Sequence, residues 1–120
     1  MAVRAVRGAT QLARDERDHL LDSVDELLRE LMAANDLSSD DLISVLFTAT
    51  PDIRSEFPAV AARKLGIGDV PLLCTAELDI EGAMPLVVRV MAHVETARPR
   101  AEIRHIYLRG AVALRRDLAQ

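Results

Sequence analysis

The spacing of apolar residues along the chain predicts five β-strands and two α-helices. Runs of apolar and β-branched residues predict strands at residues 2–7, 42–50, 70–78, 85–94 and 103–108. Leucine and valine recur every three or four residues after Asp15, a candidate N-cap, which predicts a long helix that ends at Asn35. A shorter helix is predicted between Pro58, which suits a first helical turn, and Gly66, which suits a helix end.

The order β-α-β-α-β-β-β predicts an α/β (α+β) fold, in which one long and one short helix pack on a mixed five-stranded sheet with antiparallel pairs among its last three strands. The chain of 120 residues, 50% of them hydrophobic, is expected to form a single domain over residues 1–120. Strands that are apolar on both sides predict that both sheet faces are covered. Two helices are barely sufficient for that, so we expect another subunit to cover the remainder. The aromatic fraction of only 2% also favours an oligomer.

Composition and spacing argue against several classes of function. The net charge is −4 and the arginines form no dense basic block, which argues against nucleic acid as a partner. No apolar run reaches the length of a membrane span and no signal-peptide pattern begins the chain, so we expect a cytoplasmic protein. The single Cys74 excludes an intrachain disulfide, and the three histidines show no metal-ligand spacing with it, so no metal site is expected.

Arg89 is the most informative residue, because it lies in the middle of the predicted strand 85–94 among neighbours that are almost all apolar. A guanidinium group keeps its charge, and its burial without a partner is unfavourable. Such a position therefore requires a carboxylate partner or an anionic ligand. The position alone fits a structural ion pair or an edge-strand arginine as well as it fits a functional site.

Other hydrogen-bonding side chains stand at the ends and interruptions of the apolar strands, with an excess of positive charge. They are Arg7, Cys74, Glu77, Tyr107 and Arg115. The sequence has no Gly-rich phosphate loop, no nucleophile with an obvious histidine partner and no carboxylate cluster suited to a metal. A pocket built from these side chains would suit a small polyanion, and its fixed cations could stabilise charge that develops during a reaction. Cys74 and Tyr107 would also fit an apolar core.

A set of spaced motifs covers the chain from end to end. In order, they are VRGAT at residues 6–10, TATPD at 48–52, Phe57-Pro58-Ala59 with Arg63, Cys74-x-x-Glu77, Arg89-Val90-Met91, IRHIYL at 103–108 and Ala113-Leu114-Arg115. Together they resemble the AroH-class monofunctional chorismate mutases. The resemblance implies an isomerase of phenylalanine and tyrosine biosynthesis that converts chorismate to prephenate without a cofactor.

The resemblance also implies roles for individual residues in this intramolecular Claisen rearrangement. Catalysis would select a compact conformer and stabilise negative charge on the ether oxygen. Arg89 would contact that oxygen and the enolpyruvyl carboxylate, Arg7 would bind carboxylate oxygens, and Glu77 would orient the ring hydroxyl. The implied substrate-binding residues are Tyr107 at a carboxylate, Cys74 beside Glu77, the apolar wall of Phe57, Ala59 and Leu114, and the entrance cations Arg63 and Arg115.

The resemblance further implies a homotrimer with a barrel-like core and three active sites at subunit interfaces. In that arrangement one chain would supply Phe57, Arg63, Cys74 and Glu77. The neighbouring chain would supply Arg7, Arg89, Tyr107 and Arg115. The chain departs from the common pattern at Val60, where lysine is frequent, and at Leu73, where threonine is frequent.

Two other functions remain open on the sequence. A trimeric enamine or imine deaminase of the RidA type has a related fold and an arginine that holds a substrate carboxylate, but its motifs differ from those above. A ligand-binding module could use the same arginines to hold an amino acid or an aromatic acid without turnover. Conversion of chorismate to prephenate by the purified protein would distinguish both from a mutase.

Overall fold

The computed structural model describes residues 1–114 and has the predicted order of elements. The elements are β1 (Ala2–Gln11), α1 (Arg17–Ala34), β2 (Leu42–Ala49), α2 (Ala59–Leu65), β3 (Leu72–Ala76), β4 (Val87–Thr96) and β5 (Ile106–Leu108). Short 3₁₀ helices span Ser39–Asp41, Arg100–Glu102 and Arg109–Ala113. No helix within residues 1–114 is long and apolar enough to cross a membrane.

The five strands form one mixed sheet in the order β3-β2-β4-β1-β5. The central strand β4 is antiparallel to both β1 and β2, whereas β3 is parallel to β2 and β5 is parallel to β1. The mixed sheet was predicted, but the expected pairing among the last three strands is wrong. Each of these strands is separated from the next by another strand, because β4 is long enough to pair with β1 and β2 along most of its length.

Alternate residues of each strand point to opposite faces of the sheet. On the side that we call the helix face, Val88, Val90 and Val94 of β4 are buried in one cluster with leucines of α1 and alanines of α2. On the other side, the open face, Arg89 is half-buried and Met91 is exposed. The helices therefore cover one face. Residues 1–114 cover the second face only in part, where Ala9, Val87 and Tyr107 are buried beside Ala111.

The ends of the helices agree with the sequence at three positions out of four. Asn35 ends α1, and Gly66 ends α2 in the left-handed conformation with φ of 98°. Pro58 is the residue before α2. The prediction for Asp15 is wrong, because Glu16 caps α1 by accepting a hydrogen bond from the backbone N–H of Asp18.

Candidate functional site

Strand register places Arg89 in the middle of the open face. It lies opposite Thr48 of β2 and opposite Ala9 of β1. The row continues to Thr75 of β3, opposite Thr48, and to Tyr107 of β5, opposite Ala9. Paired residues on neighbouring strands share a face, so these side chains form one row across the sheet.

Arg89 forms an ion pair with Glu77 of the same chain. Its Nε lies 3.0 Å from Oε1 and 3.2 Å from Oε2 of Glu77, and Thr48 Oγ1 donates to Oε2 over 2.8 Å. The side chain of Glu77 is 17% exposed and that of Arg89 is 41% exposed. Glu77 binds only Nε of Arg89. The two terminal NH₂ groups of Arg89 have no hydrogen-bond partner among residues 1–114. The sequence left a carboxylate partner and an anionic ligand as alternatives for Arg89, and the structure shows the carboxylate.

Arg7 joins Arg89 on the open face. It lies opposite Met91, two residues beyond Arg89 on β4, and its backbone N–H donates to Nδ1 of His105 over 3.0 Å. Arg7, Arg89 and Tyr107 line a single cavity of about 230 Å³, which we call the arginine cavity. The structure thus brings together three of the predicted site residues, and the fourth, Glu77, is in contact with one of them.

Phe57 and Cys74 line a different cavity, of about 470 Å³, which we call the Phe57 cavity. Phe57 is 68% exposed, and Cys74 is half-buried against the main core. Thr75 lines both cavities. One chain therefore carries these predicted residues in two different cavities, which meet at Thr75.

The remaining predicted residues lie in several places. Ala59 is only 3% exposed and belongs to the main core, so it lines neither cavity. Arg63 is exposed on α2 and also lines neither cavity, whereas Leu114 packs on the small cluster that contains Tyr107. Arg115 lies outside the described residues. No group of three or more His, Cys, Asp or Glu side chains within residues 1–114 could hold a metal ion.

The division of residues between two subunits needs one correction. Glu77 was assigned to the chain that supplies Phe57 and Cys74, and Arg89 to its neighbour. The hydrogen bonds join Glu77 and Arg89 within one chain. The turn after β3 is the reason, since it carries Glu77 past the strand end towards β4, and Glu77 N–H donates to the carbonyl of Ala49.

A clamp before β4, missed by the sequence reasoning, positions Arg89. Leu86 has a φ of 56°, and its N–H donates to both carboxylate oxygens of Asp52, over 3.2 and 3.0 Å. Thr50 Oγ1 donates to Asp52 over 2.6 Å and accepts from the N–H of Val87 over 3.0 Å. The positive φ is unfavourable for leucine, so the clamp holds a strained start of β4. The sequence feature that could have predicted these bonds is the Thr50-Pro51-Asp52 turn, which places two polar side chains directly after a strand.

A second set of hydrogen bonds, made by the Asp15 carboxylate, holds the segment that carries Phe57. The carboxylate of Asp15 accepts from the N–H groups of Arg54 and Ser55, over 2.9 and 3.2 Å. The buried Ser55 hydroxyl has no partner of good hydrogen-bond geometry among residues 1–114. Its position beside the Asp15 carboxylate, together with the two N–H groups, nevertheless lowers the pKa of Asp15 below its usual range, although partial burial opposes the shift.

Glu56 extends this support to Phe57 itself. Its carboxylate accepts from the N–H of Phe57 over 2.9 Å and from Nε of Arg17 over 2.9 Å. The Phe57 N–H and, to a smaller extent, Arg17 lower the pKa of Glu56 below its usual range. The backbone that leads to Phe57 is therefore tied to the start of α1.

The comparisons with known proteins agree with one another. The family described as chorismate mutase type I matches residues 3–118. Chorismate mutase AroH of Bacillus subtilis (strain 168) is 39% identical over 120 residues, which cover 99% of this chain and 94% of the relative. Chorismate mutase AroH of Thermus thermophilus is 43% identical over 117 residues, covering 97% and 96%. A solved structure of chorismate mutase from Clostridium thermocellum superimposes with a TM-score of 0.90 at 39% identity, covering 92% of this chain and 98% of that chain.

Proposed function

The chain belongs to the chorismate mutase type I family, and from this premise we propose how its residues convert chorismate to prephenate. The reaction is an intramolecular rearrangement in which an ether carbon–oxygen bond breaks as a carbon–carbon bond forms. The protein must hold a compact conformer and stabilise the negative charge that grows on the ether oxygen. Neither task requires a general base, and none of the roles proposed below involves proton transfer.

Arg89 stabilises the ether oxygen and contacts the enolpyruvyl carboxylate. The observation that carries this role is the orientation of its guanidinium, which binds Glu77 through Nε and keeps both terminal NH₂ groups for other acceptors. A planar group held in this way can donate to two oxygens at once without reorganising. The ion pair with Glu77 thus orients the cation before the substrate binds.

Arg7 and Tyr107 bind carboxylate oxygens of the substrate. Both line the arginine cavity with Arg89, so the substrate can contact all three side chains. Simultaneous contacts to these three side chains hold the substrate in one folded conformer. Glu77 orients the ring hydroxyl, and its bond from Thr48 fixes the carboxylate for that purpose.

We propose a homotrimer in which each active site lies between two chains. The separation of the arginine cavity from the Phe57 cavity supports this, because each has only part of the predicted residue set. Partly exposed apolar residues on the open face, among them Leu46 and Met91, support it as well. A neighbouring chain then covers that face.

In this assembly one chain supplies the arginines and the other supplies the apolar wall. Phe57 and Cys74 come from one chain, with Ala59 behind them in its core and Arg63 near the entrance. The neighbour contributes Arg7, Arg89, Glu77 and Tyr107, with Leu114 packed below Tyr107. The position of Arg115 near the entrance of the active site remains a prediction from the sequence. The cytoplasmic location is also a prediction from the sequence.

Replacement of Arg89 by lysine tests the proposed chemistry. Lysine keeps the charge but cannot donate from a planar fork, so we expect the Arg89→Lys variant to lose about a hundredfold or more in kcat. The assay follows the loss of chorismate absorbance, with prephenate identified as the product. Arg29→Lys is the matched control, since Arg29 pairs with Asp25 on the surface of α1. Near-normal turnover by the Arg89→Lys variant would contradict the assigned role.

Mixing two inactive variants tests the interfacial site. Arg89→Lys damages the arginine half and Phe57→Asp damages the apolar wall. If the halves come from different chains, mixed and reassembled trimers should recover about a quarter of wild-type activity, because about a quarter of the sites then combine two intact halves. Recovery close to zero, with a trimeric mass and mixed assembly shown by mass spectrometry, would place both halves in one chain.

A further inference from the structure

The chain turns sharply at Arg109, immediately after β5. Arg109 has a φ of 55°, in the left-handed region that is unfavourable for a residue with a Cβ. Strain of this kind persists only where the surrounding structure holds it, and it is concentrated at functional sites. Tyr107 lies only two residues before this turn, so the contacts that hold Arg109 bear directly on Tyr107.

The side chain of Arg109 reaches back to α1 and makes two contacts there. Its Nη1 donates to Oγ of Ser23 over 2.7 Å, and its Nη2 lies 3.1 Å from Oε1 of Glu26. Ser23 is fully buried, and Glu26 is its neighbour on the helix surface because the two residues are three positions apart. Each terminal nitrogen thus has its own acceptor. These two contacts, which we call the Arg109 bridge, fix the guanidinium in one place.

Strand pairing alone holds Tyr107 weakly. β5 has only three residues, Ile106–Leu108, and is shorter than most strands. It pairs with residues 8–10 of β1, and its other edge has no partner strand in the described part of the chain. The position of the Tyr107 ring therefore depends on the residues that pack against it.

The turn at Arg109 brings the residues that follow it back onto Tyr107. Ala111 is fully buried in one small cluster with Tyr107. Gly110 lies against Gln11 of β1, so closely that a Cβ on Gly110 would overlap Oε1 of Gln11. The path of this segment is thus set at its first residue by the Arg109 bridge and at its second by contact with β1.

We propose that Arg109 is a positioning residue for Tyr107 and, through it, for a carboxylate of the substrate. The bridge holds the turn, the turn places Ala111 against the ring, and the ring then lines the arginine cavity at a fixed place. Neither Arg109 nor Glu26 lines that cavity, so Arg109 acts only through Tyr107. The effect on the reaction rests on the role given to Tyr107 in the proposed function.

The exposure of the bridge distinguishes this role from a purely structural one. The side chains of Arg109 and Glu26 are 42% and 46% exposed, and an ion pair so accessible to water contributes little to global stability. Buried leucines anchor α1 instead, among them Leu20 and Leu27. Loss of the bridge should therefore change the placement of Tyr107 more than the free energy of unfolding.

The first test observes Tyr107 without substrate. The chain has one tyrosine and no tryptophan, so the tyrosine band in near-UV circular dichroism reports this ring alone. Because that signal requires fixed tertiary packing, we expect Arg109→Ala to weaken it while the far-UV spectrum stays unchanged. Ser23→Ala removes one contact of the bridge without touching the strained residue and should weaken it as well. Arg29→Ala is the matched control, since Arg29 pairs with Asp25 within α1.

The second test measures the conversion of chorismate. A contact that is equally strong in the ground state and the transition state affects KM and leaves kcat unchanged. Arg109→Ala should therefore raise the KM for chorismate about three- to tenfold, the cost of a weakened hydrogen bond, and change kcat much less. In a Tyr107→Phe background the same substitution should raise KM no further, because two residues that act through one contact are not additive.

An exchange of charges should restore the bridge. Arg109→Glu places two carboxylates together and should raise KM at least as much as Arg109→Ala. The further change Glu26→Arg should return both KM and the tyrosine band towards their wild-type values. The hydroxyl of Ser23 suits either arrangement, since it can donate as well as accept.

Two results would overturn the proposal. One is an unchanged tyrosine band in both Arg109→Ala and Ser23→Ala. The other is an equal rise in KM from Arg109→Ala in the wild-type and Tyr107→Phe backgrounds. If the band weakens as expected but the wild-type protein converts no chorismate, the proposed function is contradicted, whereas the placement of Tyr107 by the Arg109 bridge is supported.

Discussion

The helix face and the open face are built from alternate residues of the same strands, yet they differ in what they bury. On β4, Val88 and Val90 pack against the helices and are almost fully buried, whereas Arg89 between them faces the arginine cavity. The helix face fixes the register of the strands through close packing. The open face can therefore hold charged side chains at fixed positions. Residues that stabilise the fold and residues that line the proposed site therefore alternate along one strand.

Truncation on the helix face should have the largest effect. Phe47 is fully buried, so Phe47→Ala should lower the free energy of unfolding by about 3–5 kcal/mol through lost burial and a residual cavity. The kcat of the protein that remains folded should change little. Urea unfolding followed by circular dichroism at fixed protein concentration measures the effect. Ile43→Ala on the same strand is the control, since Ile43 is 39% exposed and its truncation should cost much less.

A charge on the open face should act on assembly more than on the fold of the chain. Met91 is exposed in the single chain, and in the proposed trimer it is covered by a neighbour. Met91→Lys should therefore shift the mass in solution from trimer to monomer, because a second cation opposite Arg7 is unpaired and unfavourable in an apolar interface. Light scattering after size exclusion measures this. Ser39→Lys adds the same charge on an exposed 3₁₀ helix and should leave the mass unchanged. A trimeric Met91→Lys protein would show that the open face is not the interface.

Neutralisation of Glu77 should affect turnover more than stability. Glu77→Gln keeps the shape of the side chain but removes the charge that orients Arg89, so we expect kcat to fall by about tenfold or more. The same chorismate assay gives the value, and Glu81→Gln in the exposed turn is the control. If the loss in free energy of unfolding exceeds the rise in activation free energy calculated from kcat, the pair would instead be identified as structural.

The smallest expected effect concerns the pH dependence of the stability that Asp15 contributes by binding the segment before Phe57. The folded-state pKa of Asp15 is lowered, so its contribution to stability is complete above the usual pKa of an aspartate and is lost as the pH falls through the folded value. Asp15→Asn should therefore be less stable than the wild type near neutral pH, and the difference should shrink in acid. Thermal unfolding between about pH 3 and pH 7 measures it. A difference independent of pH would mean that the carboxylate charge contributes nothing.

Local patterns in the sequence predicted the elements of the fold but not their arrangement. The order of strands and helices followed from periodicity. A carboxylate partner for Arg89 was one of the alternatives that a charge in an apolar strand implied. The insertion of β4 between β1 and β2 could not be predicted in this way, because it depends on pairing between residues far apart in the chain.

The same limit applies to the residues that support the site. Asp15 has the residue type and position of an N-cap, and only the tertiary structure shows that it binds Arg54 and Ser55 instead. Thr48 and Asp52 were recognised as part of a motif, but their bonds to Glu77 and Leu86 cross between elements. The subunit assigned to Glu77 was wrong for a related reason, since the path of a turn after a strand is not contained in the periodicity of that strand.

The central position of β4 has a consequence for the synthesis of the protein on the ribosome. Strands β1 and β2 meet only through β4, so neither can complete its pairing until residues 87–96 have left the exit tunnel. Until then the nascent chain has two long strands with unpaired edges and an amphipathic α1, the kind of surface that chaperones bind. Folding of the sheet therefore waits for the strand that also carries Arg89.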